Sequence, residues 1–502
     1  MEIQVVQGSI TEEAVDLVVV NLFQGVTEPG GATGAVDRAL DGAIRDLITA
    51  GDFAGKAGET ALLYTRGALP APRVLVVGLG EPAKFGLGVA RDAAAIAARK
   101  ARELGVNTLA TIVHGAGVGG LDPMAGARVL VEGTRLGLYR FTGYRSQLPK
   151  DWKPDPRELV IVERDPERLT AFRSGVARGE AIVQGVILAR NMVNEPANLM
   201  TPAQVAEIAL RLAAETGLKA QVLERADMAG LGMGILLAVS AASEQPPQFI
   251  ILEHNPDRED LPTVVLVGKG VTFDSGGISL KPPEDMWRMK GDMAGAAAVI
   301  ATLGVAARLQ LPVHVVGLAP CAENLPGERA QKPGDVFTGM SGKTMEVIST
   351  DAEGRMLLAD ALAYAARFKP AAVVDIATLT GSQSIALGPQ AAAVFSNNDG
   401  LAARLLAAAG ASGDRLWQMP LYDEYAEAIK SQVADVKNSG GRYGGIGTSA
   451  KFIEHFTEGY PWAHIDMASM GIHEDDKPAQ PKGGTGYGVR LFTALLDAWG
   501  TA

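Results

Sequence analysis

The chain has 502 residues, of which 47% are hydrophobic and 21% charged, and carries a formal net charge of −11. Such a length exceeds one ordinary domain and implies about two to four. The acidic balance gives no general attraction to nucleic acid or anionic membrane, and the single cysteine, Cys321, excludes an intrachain disulfide and a zinc site built from several cysteines.

The first residues, Met1-Glu-Ile-Gln-Val-Val-Gln-Gly, lack the basic start and apolar core of a signal peptide. No stretch reaches the roughly 18 uncharged apolar residues of a membrane span. The best candidate, Met293 to Pro320, is broken by Arg308, Gln310 and His314 and reads as helix, turn, strand. The expectation is a cytoplasmic protein with no membrane partner and no nucleic-acid partner.

Residues 1 to 165 alternate strand-like and helix-like segments. Ile3-Gln-Val-Val and Asp16-Leu-Val-Val-Val-Asn read as strands, and Ala35 to Ile48 as one amphipathic helix. Arg73-Val-Leu-Val-Val-Gly is a buried strand, Val89 to Leu104 a helix, and Thr108-Leu-Ala-Thr-Ile-Val another strand. Alternation of this kind predicts an α/β domain with a mainly parallel sheet. Gly115-Ala-Gly-Val-Gly-Gly120 matches G-x-G-x-x-G after a strand, but no acidic residue closes a strand at the expected distance. It reads as a glycine turn with no cofactor.

Residues 166 to 191 read as a linking helix. From 192 to 502 a second, larger α/β domain follows, opened by a helix with Thr201 as cap and Pro202 at its first position. Its strands, Gln248 to Glu253, Thr263 to Gly268, Val313 to Ala319, Ala372 to Thr378 and Ala463 to Ala468, are mostly continuous apolar runs. Such strands are covered on both faces, as in a mostly parallel central sheet flanked by helices. Ser341-Gly-Lys-Thr344 resembles the tail of a phosphate-binding loop, but Phe337 stands where its first glycine belongs. A hairpin turn is the expected structure there.

Chemistry concentrates at two places. Strand Thr263 to Gly268 ends in Lys269-Gly-Val-Thr-Phe-Asp274-Ser-Gly-Gly, followed by Lys281 and by Asp292 just before an Ala-rich helix. Loops after strand C-termini carry the sites of doubly wound sheets. Farther on, Ser349-Thr-Asp351-Ala-Glu353-Gly-Arg355 precedes a helix, where Thr350-x-x-Glu353 also matches a capping box. Converging carboxylates repel one another unless cations lie between them, so Asp274, Asp292, Asp351 and Glu353 read as a divalent metal site. Nearby Lys281 and Arg355 would stabilise negative charge developing on a substrate. None of the six histidines lies in these motifs, so Mg or Mn fits as well as Zn.

These segments resemble the leucyl aminopeptidase family. The blocks are Val267-Gly-Lys-Gly-Val-Thr-Phe-Asp-Ser-Gly-Gly, Met289-Lys-Gly-Asp-Met, Ser349-Thr-Asp-Ala-Glu-Gly-Arg and Ala377-Thr-Leu-Thr-Gly, with Asn194-Glu-Pro-Ala-Asn and Gly484-Thr-Gly-Tyr-Gly in support. The resemblance spans about 190 to 495, and residues 1 to 165 fit the family's smaller domain, which is similar to macro domains. It implies a homohexamer that removes Leu and other apolar residues from peptides with a free N-terminus, by a metal-activated bridging water. Two divalent ions, Zn2+ or Mn2+, are implied. Asp274 and Glu353 would bridge them, Lys269 and Asp292 would complete the tighter site, and Asp351 the more exchangeable one. As a ligand Lys269 must be neutral, so a strongly depressed pKa is expected, with metal charge and burial as its physical cause. Lys281 would polarise the scissile carbonyl, and Arg355 would hold a bicarbonate acting as general base. Met289, Thr378, Leu379, Gly381, Ala468 and Met470 fall at the family's pocket for the first side chain. Two positions depart from the pattern, Ser349 for a usual asparagine and Gly291 for a common aromatic. The rival expectations are a DNA-binding regulator, marked by a basic stripe on the N-terminal domain, and an ADP-ribose binder. The latter needs a ligand-sized cleft near a glycine loop such as Gly30 to Gly34.

Overall fold

The structure, a computed structural model, describes residues 1 to 117 and 119 to 500, so Val118 of the expected glycine turn lies outside the described residues. They form two compact units, Met1–Val183 with Asp475–Pro481, and Gln184–Glu474 with the segment from Lys482 onward. The helix expected as a linker runs Leu169–Asn194, and the division falls inside it. Residues 475 to 481, assigned from sequence to the larger domain, group instead with the first unit. Arg99 ties them there, donating from both terminal nitrogens to Asp476 at 3.0 Å and to the Lys477 carbonyl at 2.8 Å.

In the first unit six strands lie in the order Glu2–Gln7, Glu158–Glu163, Thr108–Thr111, Leu17–Leu22, Arg73–Gly78, Thr60–Tyr64. All pair in parallel except the edge strand Thr60–Tyr64. The single helix expected over 35 to 48 is two, Gly31–Ala39 and Ala43–Ala50. Asp41 and Gly42 take left-handed conformations between them (φ 53° and 89°). The Asp37 carboxylate then accepts from the Ile44 and Arg45 amides, satisfying orphan donors of the second helix. The amphipathic period carries on across the break, which is why the sequence conceals it.

The second unit is built on a sheet whose four central strands are parallel. In order these are Trp462–Asp466, Ala372–Ala377, Thr263–Gly268 and His314–Asn324. Antiparallel strands flank them, Ala392–Ser396 on one side and Gln248–His254 on the other. Strand Gly270–Asp274 continues beyond Thr263–Gly268 and pairs with the far half of His314–Asn324. Val264 to Val267 and Val373, Val374 and Ile376 have no exposed surface, as continuous apolar runs require. The turn at 339 to 343 closes a hairpin between Val336–Thr338 and Thr344–Glu346, with no phosphate loop there. Among the described residues one stretch, Met286–Leu309, is long and apolar enough to cross a membrane. Most of it is buried, and its main part is the core helix Ala294–Leu309.

That helix begins against the end of strand Thr263–Gly268. The Ala296 amide donates to the Lys269 carbonyl at 2.8 Å, and the Lys269 amide to the Ile376 carbonyl at 3.1 Å. Contact this close needs glycine on both sides: a Cβ on Gly295 would lie 2.3 Å from the Ile376 oxygen, and one on Gly268 2.3 Å from the Gly295 oxygen. Both obstacles are backbone and cannot swing away. Gly295→Val should therefore lower the thermal midpoint, through overpacking on the order of 1–3 kcal/mol, when followed by calorimetry. An unchanged midpoint would mean that the helix start retreats freely.

Candidate metal centre

Lys269 leaves the strand end and is 2% exposed. Its Nζ lies 2.7 Å from Asp292 Oδ2 and 2.9 Å from Glu353 Oε1, and donates to the Thr378 carbonyl at 2.9 Å. Gly354 makes room for it, since a Cβ there would stand 2.5 Å from Lys269 Cε. A second lysine, Lys281, bridges Asp274 at 2.8 Å and Asp351 at 2.5 Å. The structure thus brings together all six charged residues that the two sequence stretches supplied apart from Arg355.

Glu353 and Asp351 arrive from the start of helix Gly354–Ala365. The capping box expected at Thr350 and Glu353 does not form. Glu353 is the N-cap, yet no side chain caps the helix. The Thr350 hydroxyl instead donates to the Gly276 carbonyl at 2.6 Å and accepts from the Ser279 amide at 2.8 Å. This hydroxyl ties the Asp351 loop to the Asp274 loop. Asn324, which ends a buried strand, completes the link: its Nδ2 donates to Asp274 Oδ1 at 2.8 Å and to the Thr350 carbonyl at 3.0 Å.

Two ammonium groups face four carboxylates here, so negative charge is in excess. Burial is the largest cause pushing the Asp274, Asp292 and Asp351 carboxyls upward, and neighbouring carboxylates add to it. Single oxygens of Asp274, Asp351 and Glu353 lie within 4.8 Å of one another. Glu353 Oε2 is buried with no hydrogen-bond partner among the described residues. A hard divalent cation is the species that such an oxygen cluster accommodates. The expected depression of the Lys269 pKa is not found with protein groups alone. Burial pulls it down, but Asp292, Glu353 and Asp274 outweigh burial and move it upward. Neutral Lys269 requires cation charge beside it.

Arg355 is buried on the same helix, and burial lowers its pKa to about 10, so it stays charged at neutral pH. One terminal nitrogen donates to the Asn438 carbonyl at 2.7 Å, while Nε has no partner among the described residues. Thr378 joins the centre through its hydroxyl, which donates to Asp292 Oδ1 at 2.7 Å. Leu379 and Ala468 are held together by one buried carboxylate, Asp466, which accepts from both amides at 3.2 Å. Gly381 opens helix Gly381–Leu387, and Met470 is buried. Met289 lies in the short 3-10 helix before Asp292, whose amide donates to its carbonyl.

The cytosol aminopeptidase family's catalytic-domain model matches residues 187 to 493, and its N-terminal-domain model residues 19 to 148. The chain belongs to the cytosol aminopeptidase family. It is 44% identical to a probable cytosol aminopeptidase of Roseiflexus castenholzii over 99% of each chain. It is 47% identical to one of Syntrophotalea carbinolica over 92% of this chain and 93% of that one. Among solved structures it is similar to a mutant of tomato leucine aminopeptidase (TM-score 0.88, 32% identity, 99% of this chain and 96% of that one). It is also similar to the bottromycin maturation enzyme BotP in complex with Mn (TM-score 0.85, 36% identity, 97% and 100%). The family is one of metal-dependent aminopeptidases.

The two positions expected to depart from the family pattern both make local contacts. A Cβ at Gly291 would meet Ile472 Cδ1 at 2.6 Å, so a larger residue there would require Ile472 to shift. The Ser349 hydroxyl accepts from the Asp351 amide at 3.3 Å and shapes the ligand loop. Sequence reasoning missed Asn324, Asn438 and Asp466. Asn438 accepts from the Ile348 and Ser349 amides and donates to the Ser349 carbonyl from about 90 residues away. An asparagine or aspartate closing an apolar strand was the available signal for Asn324 and Asp466. Asn324→Ala should weaken Mn2+ binding by about 10–100-fold, as loss of a ligand's supporting hydrogen bond does. Titration calorimetry on metal-stripped protein, with circular dichroism as fold control, checks this.

Proposed function

We propose that this chain is a two-metal aminopeptidase that removes N-terminal leucine and other apolar residues from peptides. The observation that carries the proposal is the cluster of Lys269, Asp274, Lys281, Asp292, Asp351 and Glu353, buried except for half-buried Lys281 and exposed Asp351, with three carboxylates close enough to share cations. Asp274 and Glu353 would bridge the ions, Lys269 and Asp292 would complete one site, and Asp351 the other. Two divalent ions, Zn2+ or Mn2+, would supply Lewis-acid polarisation and activate the water held between them. Manganese gains support from the complex of BotP, 36% identical to this chain.

The protein's own groups then divide the work. Lys281, more exposed than Lys269 (side chain 22% against 3%), would face the peptide carbonyl and stabilise its developing negative charge. The substrate's free amine would bind the ion held close to Asp292. Arg355, charged and with an unengaged Nε, is suited to hold bicarbonate as the proton acceptor. Met289, Thr378, Leu379, Gly381, Ala468 and Met470 would receive the first side chain. Asp466 fixes the backbone of two of them, Leu379 and Ala468. A homohexamer working in the cytoplasm is the assembly and location that accompany this reading.

Metal-stripped protein should release leucine from a Leu-initiated dipeptide only after Mn2+ or Zn2+ is added, and never from the N-acetylated dipeptide. Release from both substrates would remove the exopeptidase assignment, and no release with any metal would remove catalysis altogether. Lys281→Met should lower kcat by about 10²–10³-fold with KM changed only a few-fold, as loss of an oxyanion donor does. Metal content of the variant, measured in parallel, separates that loss from loss of the ions.

A further inference from the structure

The two segments expected to receive the first side chain are tied to each other by buried polar groups. One segment, Thr378 to Gly381, follows strand Ala372–Ala377 and enters helix Gly381–Leu387. The other, Ala468 to Met470, follows strand Trp462–Asp466. These strands are parallel neighbours, so both segments leave the same end of the sheet. The strand ladder stops there, and a pocket of fixed width between the two segments needs a further tie.

Gln383 supplies it. It is wholly buried on a helix whose residues Gly381 and Ile385 are exposed. Its Oε1 accepts from the Ser469 amide at 2.9 Å, and its Nε2 donates to the Ala391 carbonyl at 2.8 Å. The Ser469 hydroxyl lies 2.9 Å from the same Oε1 and within reach of the Gly388 carbonyl, so its proton has two acceptors. Ser469 stands between Ala468 and Met470, and Gln383 two residues past Gly381. The clasp therefore joins the two pocket segments directly.

The clasp also closes a ring. Asp466 Oδ2 accepts from the Thr380 hydroxyl at 2.6 Å, and that hydroxyl accepts from the Gln383 amide at 3.0 Å. Gln383 holds Ser469, whose neighbour Ala468 donates its amide to Asp466 Oδ1 at 3.2 Å. Thr380 is 7% exposed, and Gln383 and Asp466 have no exposed surface. A buried polar network with its members satisfied is stiff, and one left half satisfied is costly. The ring passes through none of the carboxylates and lysines of the metal centre.

We propose that Gln383 and Ser469 are specificity-determining residues, whose clasp fixes the width of the pocket so that leucine is selected by fit. The inference rests on the aminopeptidase reading above. In a pocket that cannot close around a smaller side chain, each missing methylene lowers kcat/KM by about 10–200-fold. Walls free to move inward recover part of that loss. Because the ring leaves the reacting groups alone, breaking it removes binding that ground state and transition state share, which raises KM and spares kcat.

Steady-state kinetics of the Mn2+-loaded protein on Leu-initiated and Ala-initiated dipeptides test it. Wild type should favour leucine over alanine by about 100-fold or more in kcat/KM. Gln383→Met keeps the side chain's volume and removes its hydrogen bonds. It should cut that preference about tenfold through KM for the leucine peptide, with kcat within about threefold of wild type. Ser469→Ala removes only the hydroxyl and should cut the preference about threefold, which keeps the test open should Gln383→Met fail to fold. Loss of folded protein alone lowers both substrates together and leaves the ratio unmoved. A wild-type ratio near one, or an unchanged ratio in Ser469→Ala or in folded Gln383→Met, overturns the inference while leaving the aminopeptidase reading intact. Wild type that releases no leucine from either metal-loaded form overturns that reading and this inference with it.

Discussion

The second unit is arranged around one costly fact, a lysine buried among carboxylates. Lys269 is 2% exposed and touches Asp292 and Glu353 within 3 Å. Its position follows from backbone rather than from its own side chain. Its amide is tied to strand Ala372–Ala377 and its carbonyl to helix Ala294–Leu309, and glycines at 268, 295 and 354 clear the surrounding space. Burying charge is unfavourable unless partners are fixed before it arrives. The sheet, the Ala-rich helix and helix Gly354–Ala365 meet at this point and supply that fixity. Without them the four carboxylates would be driven apart or protonated.

A layer of uncharged polar groups does as much as the ligands themselves. Thr350, Asn324 and Asn438 each bridge segments distant in sequence, and each hydrogen bond fixes an angle that charge alone leaves soft. Ion pairs between flexible side chains tolerate many geometries. A cation site needs oxygens held within tenths of an ångström. The division of labour follows: carboxylates and lysines set the potential, and amides and hydroxyls set the shape.

Legibility in the sequence followed the same division. The central strands were readable because both faces are buried, so Thr263 to Gly268 and Ala372 to Ala377 appear as mostly continuous apolar runs, the second interrupted by Asp375. Edge elements such as Leu416–Gln418 and Val436–Lys437 were not, being too short to show a period. The charged residues of the centre were readable because their motifs are local. Asn438 was not, because its meaning lies in contacts with residues 348, 349 and 355, and nothing beside it in the chain marks it. The capping box was misread for a related reason. Thr350 and Glu353 do have the right spacing, but tertiary partners outbid the helix amides for both side chains. The neutral state expected of Lys269 depends on the ions' charge, because protein groups alone move its pKa upward.

The two units use one geometric device to different ends. Each opens its working face beyond the C-terminal ends of parallel strands, where backbone amides and helix starts converge. In the second unit that face is filled with carboxylates, and its natural complement is positive. In the first it carries glycines, apolar side chains and a helix start without a side-chain cap. The contrast is one of side chains on a shared scaffold, so fold alone assigns no chemistry. What separates them is which positions are glycine without a backbone reason. In the second unit Gly268, Gly295 and Gly354 are all held by close contacts, and their small size serves the packing around Lys269. In the first unit a Cβ on Gly30 or Gly117 would meet nothing within 4 Å.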